Sequence, residues 1–255
     1  MHVQSKLCTP VSPEVAMSVL TTTISETVTR RKLPRTQIVR EIVYPDSDEE
    51  PMAENTRQFE IIVTLHTGIS ALFVGRPDVF VAGDLFWYPV EGSNTIRLAP
   101  DVMVVFGRPP GHRGSYRQWC EAGIAPQVVF EILSPDNRAA EMSNKFRFYE
   151  RYGVKEYYIY DPDYGRLDGW LRHADQLNLE EVPEMEGWVS PRLGIRFHLD
   201  GTELVVYRPD GRRFETALEI ERRAEVAEYR IKEERWRAQR LADQLRALGI
   251  DPDAV

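Results

Sequence analysis

The sequence of 255 residues predicts a mixed α/β domain, a sheet flanked by helices, extended by a β-hairpin region and a long C-terminal helix. Three observations carry this prediction. An amphipathic stripe of Phe59, Ile62, Val63, Leu65, Ile69, Leu72 and Phe73 repeats at three- and four-residue intervals ahead of several strands, as in a helix lying on a sheet. The continuous apolar run PQVVFEILS is followed by a capped helix and then by KEYYIYDP, the pattern of a β-α-β crossover. Beyond it, a heptad pattern occupies Glu215 to Leu248.

In chain order, residues 1–40 mix Ser, Thr, Pro and scattered apolar residues without sustained period and read as a mobile arm. Within it, Val15, Val19 and Leu20 share one face of a possible helix from Val11 to Val28. Ile38 to Tyr44 has the pattern of a short strand, ended by the acidic turn PDSDEEP. That turn lacks the glycine and distal glutamate of an EF-hand loop and reads as solvated. Glu54 stands at the start of the first helix, where the helix dipole favours a carboxylate with or without a role in a site.

Pro77 to Val90 follows as a long strand, with a bend expected at Gly83 and Asp84. After the turn at 92–94 comes the strand headed by Asp101. Gly107 to Gly123 is a long loop holding Arg108, His112, Arg113, Arg117 and Trp119, and loops of that length inside a domain usually have a use. The central strand contains Glu131, and SPDN supplies a turn and a helix cap. Met142, Phe146, Tyr149 and Tyr152 mark the buried side of the next helix, which Gly153 closes. Four short strands, around Gly165–Leu171, Trp188–Val189, Ile195–Leu199 and Leu204–Tyr207, are expected to pair as hairpins and finish one edge of the sheet. In the final segment, heptad position a falls at Ala217, Ala224, Ile231, Ala238 and Leu245, and position d at Ile220, Ala227, Glu234, Leu241 and Leu248. Nine of these ten positions are apolar, so a coiled coil and a homo-oligomer are expected rather than a helix packed on its own domain. The expected domains are thus an arm at 1–40, a core at 41–210 and a helix at 211–250.

Composition narrows the function. A hydrophobic content of 42% supports a real core, and a net charge of −8 opposes nucleic-acid binding through the overall field, leaving only local phosphate contacts. Cys8 and Cys120 lack the C-x-x-C spacing of a thiolate zinc site. With no leader pattern and no apolar run near the roughly 20 residues that span a bilayer, a cytoplasmic protein is expected.

The most informative residues are Asp101 and Glu131, which interrupt apolar strands. A carboxylate in a buried sheet is costly unless a cation, a base or several donors compensate it. Paired acids on neighbouring strands therefore make a candidate metal site. Lys145, on the helix after the Glu131 strand, can swing back towards them.

The order helix, three strands, helix, strand, with Asp, Glu and a nearby lysine, resembles the PD-(D/E)XK nuclease superfamily. The stretches YPDSDEEPMAEN, RLAPDVMVVFG, VVFEILSPDNR and KFRFYERYGVKEYYIYDP, with the alanine- and arginine-rich tail, are similar to the Uma-type restriction endonuclease family of bacteria, from about Val43 onwards. The resemblance implies a restriction-endonuclease-like core of order α-β-β-β-α-β and a metal-dependent endonuclease acting on DNA. Asp101 and Glu131 match the metal-binding acids, Glu54 the acid of the first helix, and the Ile132 carbonyl a third ligand of Mg²⁺, with Mn²⁺ as a substitute. The superfamily's lysine normally stands two positions after the glutamate, where this chain has Leu133, so Lys145 is the implied replacement. Arg108, Arg113, Arg138 and Arg147 are candidate phosphate contacts, and Ser134 either positions a water or caps the turn. The competing expectations are a catalytically inactive nuclease-fold module that binds DNA or protein through its coiled coil, and a glycosidase on the same two carboxylates. Glycosidase sites usually sit in clefts lined with sugar-stacking aromatics, whereas the neighbours here read as aliphatic strands and a basic helix, which disfavours that expectation.

Overall fold

The local pattern of the chain explains most of its elements. In a computed structural model, residues 42–46, 55–135, 139–174, 176–248 and 251 are described. The chain divides into Met1–Tyr44 and Pro45–Val255. The expected arm, its possible helix, Glu54 and Arg138 lie outside the described residues, and the three described residues of the expected strand at 38–44 form no strand.

Within the second unit, helix α1 (Thr56–Leu72) begins at Asn55, whose side chain accepts a hydrogen bond from the Gln58 amide, and buries Gln58, Ile62, Leu65 and Ile69. An N-cap of this type satisfies one of the amides that a helix start leaves without a partner. The strands are β1 (Val79–Ala82), β2 (Trp87–Tyr88), β3 (Val102–Phe106), β4 (Tyr116–Arg117), β5 (Val128–Ile132), β6 (Glu156–Asp161), β7 (Arg166–Leu171), β8 (Glu180–Glu181), β9 (Arg196–Asp200) and β10 (Glu203–Tyr207). Helix α2 (Ala139–Tyr152) joins β5 to β6, and α3 (Ala217–Ala247) ends the fold. The main sheet has the order β1-β3-β5-β6-β7-β8, in which only the β5–β6 pair is parallel. Leaving aside the two-residue strands β2 and β4, the elements up to β6 follow the expected α-β-β-β-α-β order.

The two faces of the sheet are covered differently. Ile62, Leu65 and Ile69 of α1 pack on Val102, Val104, Val128, Phe130 and Tyr158, together with Phe197 and Val206 of the β9–β10 hairpin. On the opposite face, Tyr149 of α2 packs with Met103, Val105, Val129, Tyr157 and Trp87. Residues of alternate parity on each strand therefore serve different cores, as the period of two requires. Gly68 lets the ring of Phe214 approach α1, since a Cβ there would stand 2.3 Å from it.

Two expectations change. The long strand at 77–90 stops at Ala82 and turns through Asp84, at φ 46°, so that Trp87 and Tyr88 pair with β4 instead of the main sheet. The turn carries both breaker residues anticipated there. Of the expected hairpins, β7 extends the sheet through β6, whereas β9 and β10 pair with one another outside the main sheet and pack on the α1 face. The expected strand at Trp188–Val189 is reduced to a single bridge from Val189 to Arg196. Among the described residues no helix is long and apolar enough to cross a membrane.

Candidate active site

The β3–β5 ladder decides where the two acids lie. It pairs Val102 with Phe130 in antiparallel register, and one further step sets Asp101 opposite Glu131. Residues directly opposite in such a ladder have Cβ atoms roughly 5 Å apart. Both acids share parity with Met103 and Val129, so both point to the α2 side. Pairing geometry alone brings two carboxylates to one spot.

Each acid is held differently. Asp101 Oδ2 accepts from the Ile132 amide at 2.6 Å. Glu131 is 1% exposed and accepts from Lys145 Nζ at 2.8 Å and from the Tyr149 hydroxyl. Lys145 and Tyr149 are four residues apart on α2 and thus on one face of it, which is how a single helix supplies both donors. Lys145 also lies 3.7 Å from Glu141, one turn earlier.

The electrostatics show a surplus of negative charge. Burial, and then the neighbouring Glu131, push the Asp101 carboxyl well above its usual range, with Asp84 adding to the effect. For Lys145, burial opposes the charge, but Glu131 and Asp101 outweigh it and the ammonium holds its proton more tightly than a free lysine. Burial and Glu131 also raise the Tyr149 hydroxyl, which stays a donor. Two carboxylates against one ammonium leave a net charge of about −1 in a largely enclosed pocket, where an unbalanced charge is expensive. A proton or a cation relieves it.

The donors available to a cation are hard oxygens, which suit Mg²⁺ retaining several waters. Among the described residues no three His, Cys, Asp or Glu side chains gather to hold a metal by themselves. Any ion at Asp101 and Glu131 would therefore complete its shell from water, backbone or substrate. The Ile132 carbonyl, the expected third ligand, is engaged by Gln58 Nε2 at 2.8 Å, which leaves one lone pair for a cation.

Of the expected site residues, Asp101, Glu131 and Lys145 come together. Arg108 and Arg113 do not join them: each ion-pairs with Glu121 at 2.7 Å, and the Arg113 guanidinium lies 4.0 Å over the Phe80 ring. The two pairs cross-link the 107–123 loop to itself, the Phe80 contact ties it to β1, and together they account for both arginines without a phosphate. Arg147 is exposed on α2, and Ser134 is buried just past β5. Sequence reasoning missed Gln58, Tyr149 as a ligand of Glu131, and Asp84. A polar residue in phase with the buried stripe was the available sign for Gln58, and the four-residue spacing from Lys145 was the sign for Tyr149.

The Uma2 family model, described as "Putative restriction endonuclease", matches residues 32–202, more than half of the chain. The chain belongs to the Uma2 family. Among solved structures it is similar to one titled a putative nuclease belonging to DUF820 from Anabaena variabilis ATCC 29413. The TM-score is 0.41 and the identity 17%, covering 57% of this Uma2 chain and 77% of the other. No curated protein matches it. Asp101, Glu131 and Lys145 all fall within the segment matched to Uma2.

Proposed function

We propose that this Uma2 protein is a divalent-metal-dependent endonuclease that hydrolyses phosphodiester bonds of DNA. The observation that carries the reading is the pair of cross-strand carboxylates with surplus negative charge, faced by the Lys145 ammonium at 2.8 Å from Glu131. Asp101 and Glu131 would hold Mg²⁺, or Mn²⁺ in its place, with the free lone pair of the Ile132 carbonyl alongside. When bound, the cation supplies Lewis-acid neutralisation of charge on the phosphodiester.

The chain's own groups supply orientation and a fixed positive charge. Tyr149 and Lys145 grip the two oxygens of Glu131, so the carboxylate cannot rotate away when substrate arrives. Gln58 and Asp101 take the two polar groups of the Ile132 residue from opposite sides and fix that stretch of β5. Lys145 keeps its proton and is the group to orient an attacking water and to stabilise negative charge growing on the phosphate oxygens. Arg147, exposed on the same helix, is the candidate phosphate contact among the described arginines. Self-association through α3 would present two such sites, matching two strands of a duplex.

Nicking of supercoiled plasmid in Mg²⁺ or Mn²⁺, blocked by EDTA, tests the reading. Asp101→Asn and Glu131→Gln should each reduce the rate by roughly a hundred-fold or more while the protein stays folded. Firm DNA binding with no cleavage in either metal would instead identify a binding module on a nuclease fold.

A further inference from the structure

We propose that the cleft between α2 and strands β6 and β7 is a nucleobase subsite, which takes one unpaired base of the nucleic acid whose phosphate sits at Asp101 and Glu131. The inference rests on the nuclease reading for its substrate, and on separate residues for its geometry. The cleft is open to solvent, has a volume of about 340 Å³ and is lined by Met142, Ser143, Phe146, Arg147, Ile159 and Trp170.

Its position ties it to the carboxylates. The parallel β5–β6 register pairs Glu131 with Ile159, so the floor of the cleft is one strand away from the acid, about 4.8 Å. On α2, Lys145 stands between Met142 and Phe146 in the chain. Lys145 turns to Glu131 while its neighbours Met142 and Phe146 line the cleft. A nucleotide whose phosphate reached Lys145 would thus have an aromatic recess beside it.

The lining suits a base. Phe146 and Trp170 line the cleft and meet edge to face at 5.5 Å, and Tyr157 backs Trp170, stacked on it at 5.4 Å. Stacking on such rings accepts every base, because each has a π-face. Arg147 at the rim supplies a cation of the sign a phosphate backbone needs. A base within a duplex is stacked on its neighbours and cannot enter, so the subsite implies a preference for single strands, flaps or frayed ends.

The test uses the full-length protein and a fluorescein-labelled 15-mer oligothymidylate, with a hairpin duplex for comparison, by fluorescence anisotropy in Ca²⁺. Wild-type protein should bind the single strand roughly ten-fold more tightly than the duplex. Ser143→Trp, at an exposed helix position, should close the cleft and remove that advantage with duplex affinity and melting temperature unchanged. Trp170→Phe should abolish the tryptophan quenching caused by the oligonucleotide. Equal affinity of wild type for both forms, or single-strand binding within two-fold of wild type in folded Ser143→Trp, overturns the subsite. Cleavage of plasmid by a protein insensitive to Ser143→Trp would sink the subsite and spare the nuclease. Cleft-dependent binding without cleavage in Mg²⁺ or Mn²⁺ would do the reverse.

Discussion

Glu131 is nearly sealed from solvent, and its two donors come from one turn of α2. Removing one partner of a buried pair costs more than the pair contributes, because the remaining charge has neither water nor counterion. Lys145→Met should therefore destabilise the fold by about 3 kcal/mol, measured by urea unfolding, whereas the double change with Glu131→Gln should recover much of the loss. Asp101 has the opposite character. Its proton affinity is raised in the folded state, by burial first and Glu131 second. A raised carboxyl favours folding below its unfolded pKa, and that contribution is lost as pH rises through the folded pKa. In metal-free buffer the wild type should lose stability relative to Asp101→Asn as pH rises from about 4 towards neutrality. Mg²⁺ at a hundred-fold excess over its Kd should restore about 2.7 kcal/mol to the wild type and nothing to Asp101→Asn, read as a shift in Tm.

At the scale of elements, β6 carries a second buried acid with a different purpose. Glu156 is 0% exposed and accepts from the Tyr158 hydroxyl at 2.9 Å, the Ser190 hydroxyl, and the Arg192 amide at 2.8 Å. It thereby fastens the segment before β9 to the end of the sheet. Burial raises its pKa, despite the donors that favour the charged form. Its contribution to stability is complete below the unfolded glutamate pKa and is lost as pH rises through the higher folded value. Glu156→Gln, whose amide oxygen can still accept from Arg192, should flatten that pH dependence at small cost. Glu156→Ala leaves buried donors without partners and should cost about 2 kcal/mol. Hydrogen exchange in residues 188–194 should speed up in the alanine variant, while exchange in β3 and β5 stays slow.

At the scale of the molecule, α3 is the element without a place in either core. A capping box of Thr216 and Glu219 starts it, and none of its residues is buried. Ile231, Leu241 and Leu248 of the heptad seam are 50%, 61% and 74% exposed. Thirty-one residues make a helix of about 46 Å, and a helix of that length with an open apolar seam gains by pairing with another copy. We expect multi-angle light scattering to report an oligomer, and Ile231→Asp combined with Leu241→Asp to give a monomer. The core should melt as before, since the seam touches neither face of the sheet. If cleavage of both strands needs two sites, the monomeric variant should nick plasmid without linearising it.

Local chemistry made α1, β3, β5, α2 and β6 legible from sequence, because apolar period, caps and Gly153 act within a few residues of one another. It also exposed Asp101 and Glu131, since a charge inside an apolar strand is conspicuous without any structure. Other features depended on partners far apart in the chain. The β3–β5 register set Asp101 opposite Glu131, and the path of α1 brought Gln58 to Ile132, 74 positions away. Arg108 and Arg113 looked available for phosphate until the loop fold delivered Glu121 to both. The sequence by itself determined the helices and central strands around the site and marked Asp101 and Glu131 as acids needing compensation, because those follow from short-range period and the cost of burying charge. It did not mark Glu156, whose Ser190 and Arg192 donors come from far along the chain. Only the tertiary structure decided which donor meets which acid, because hydrogen bonds and ion pairs form between surfaces that chain order does not place together.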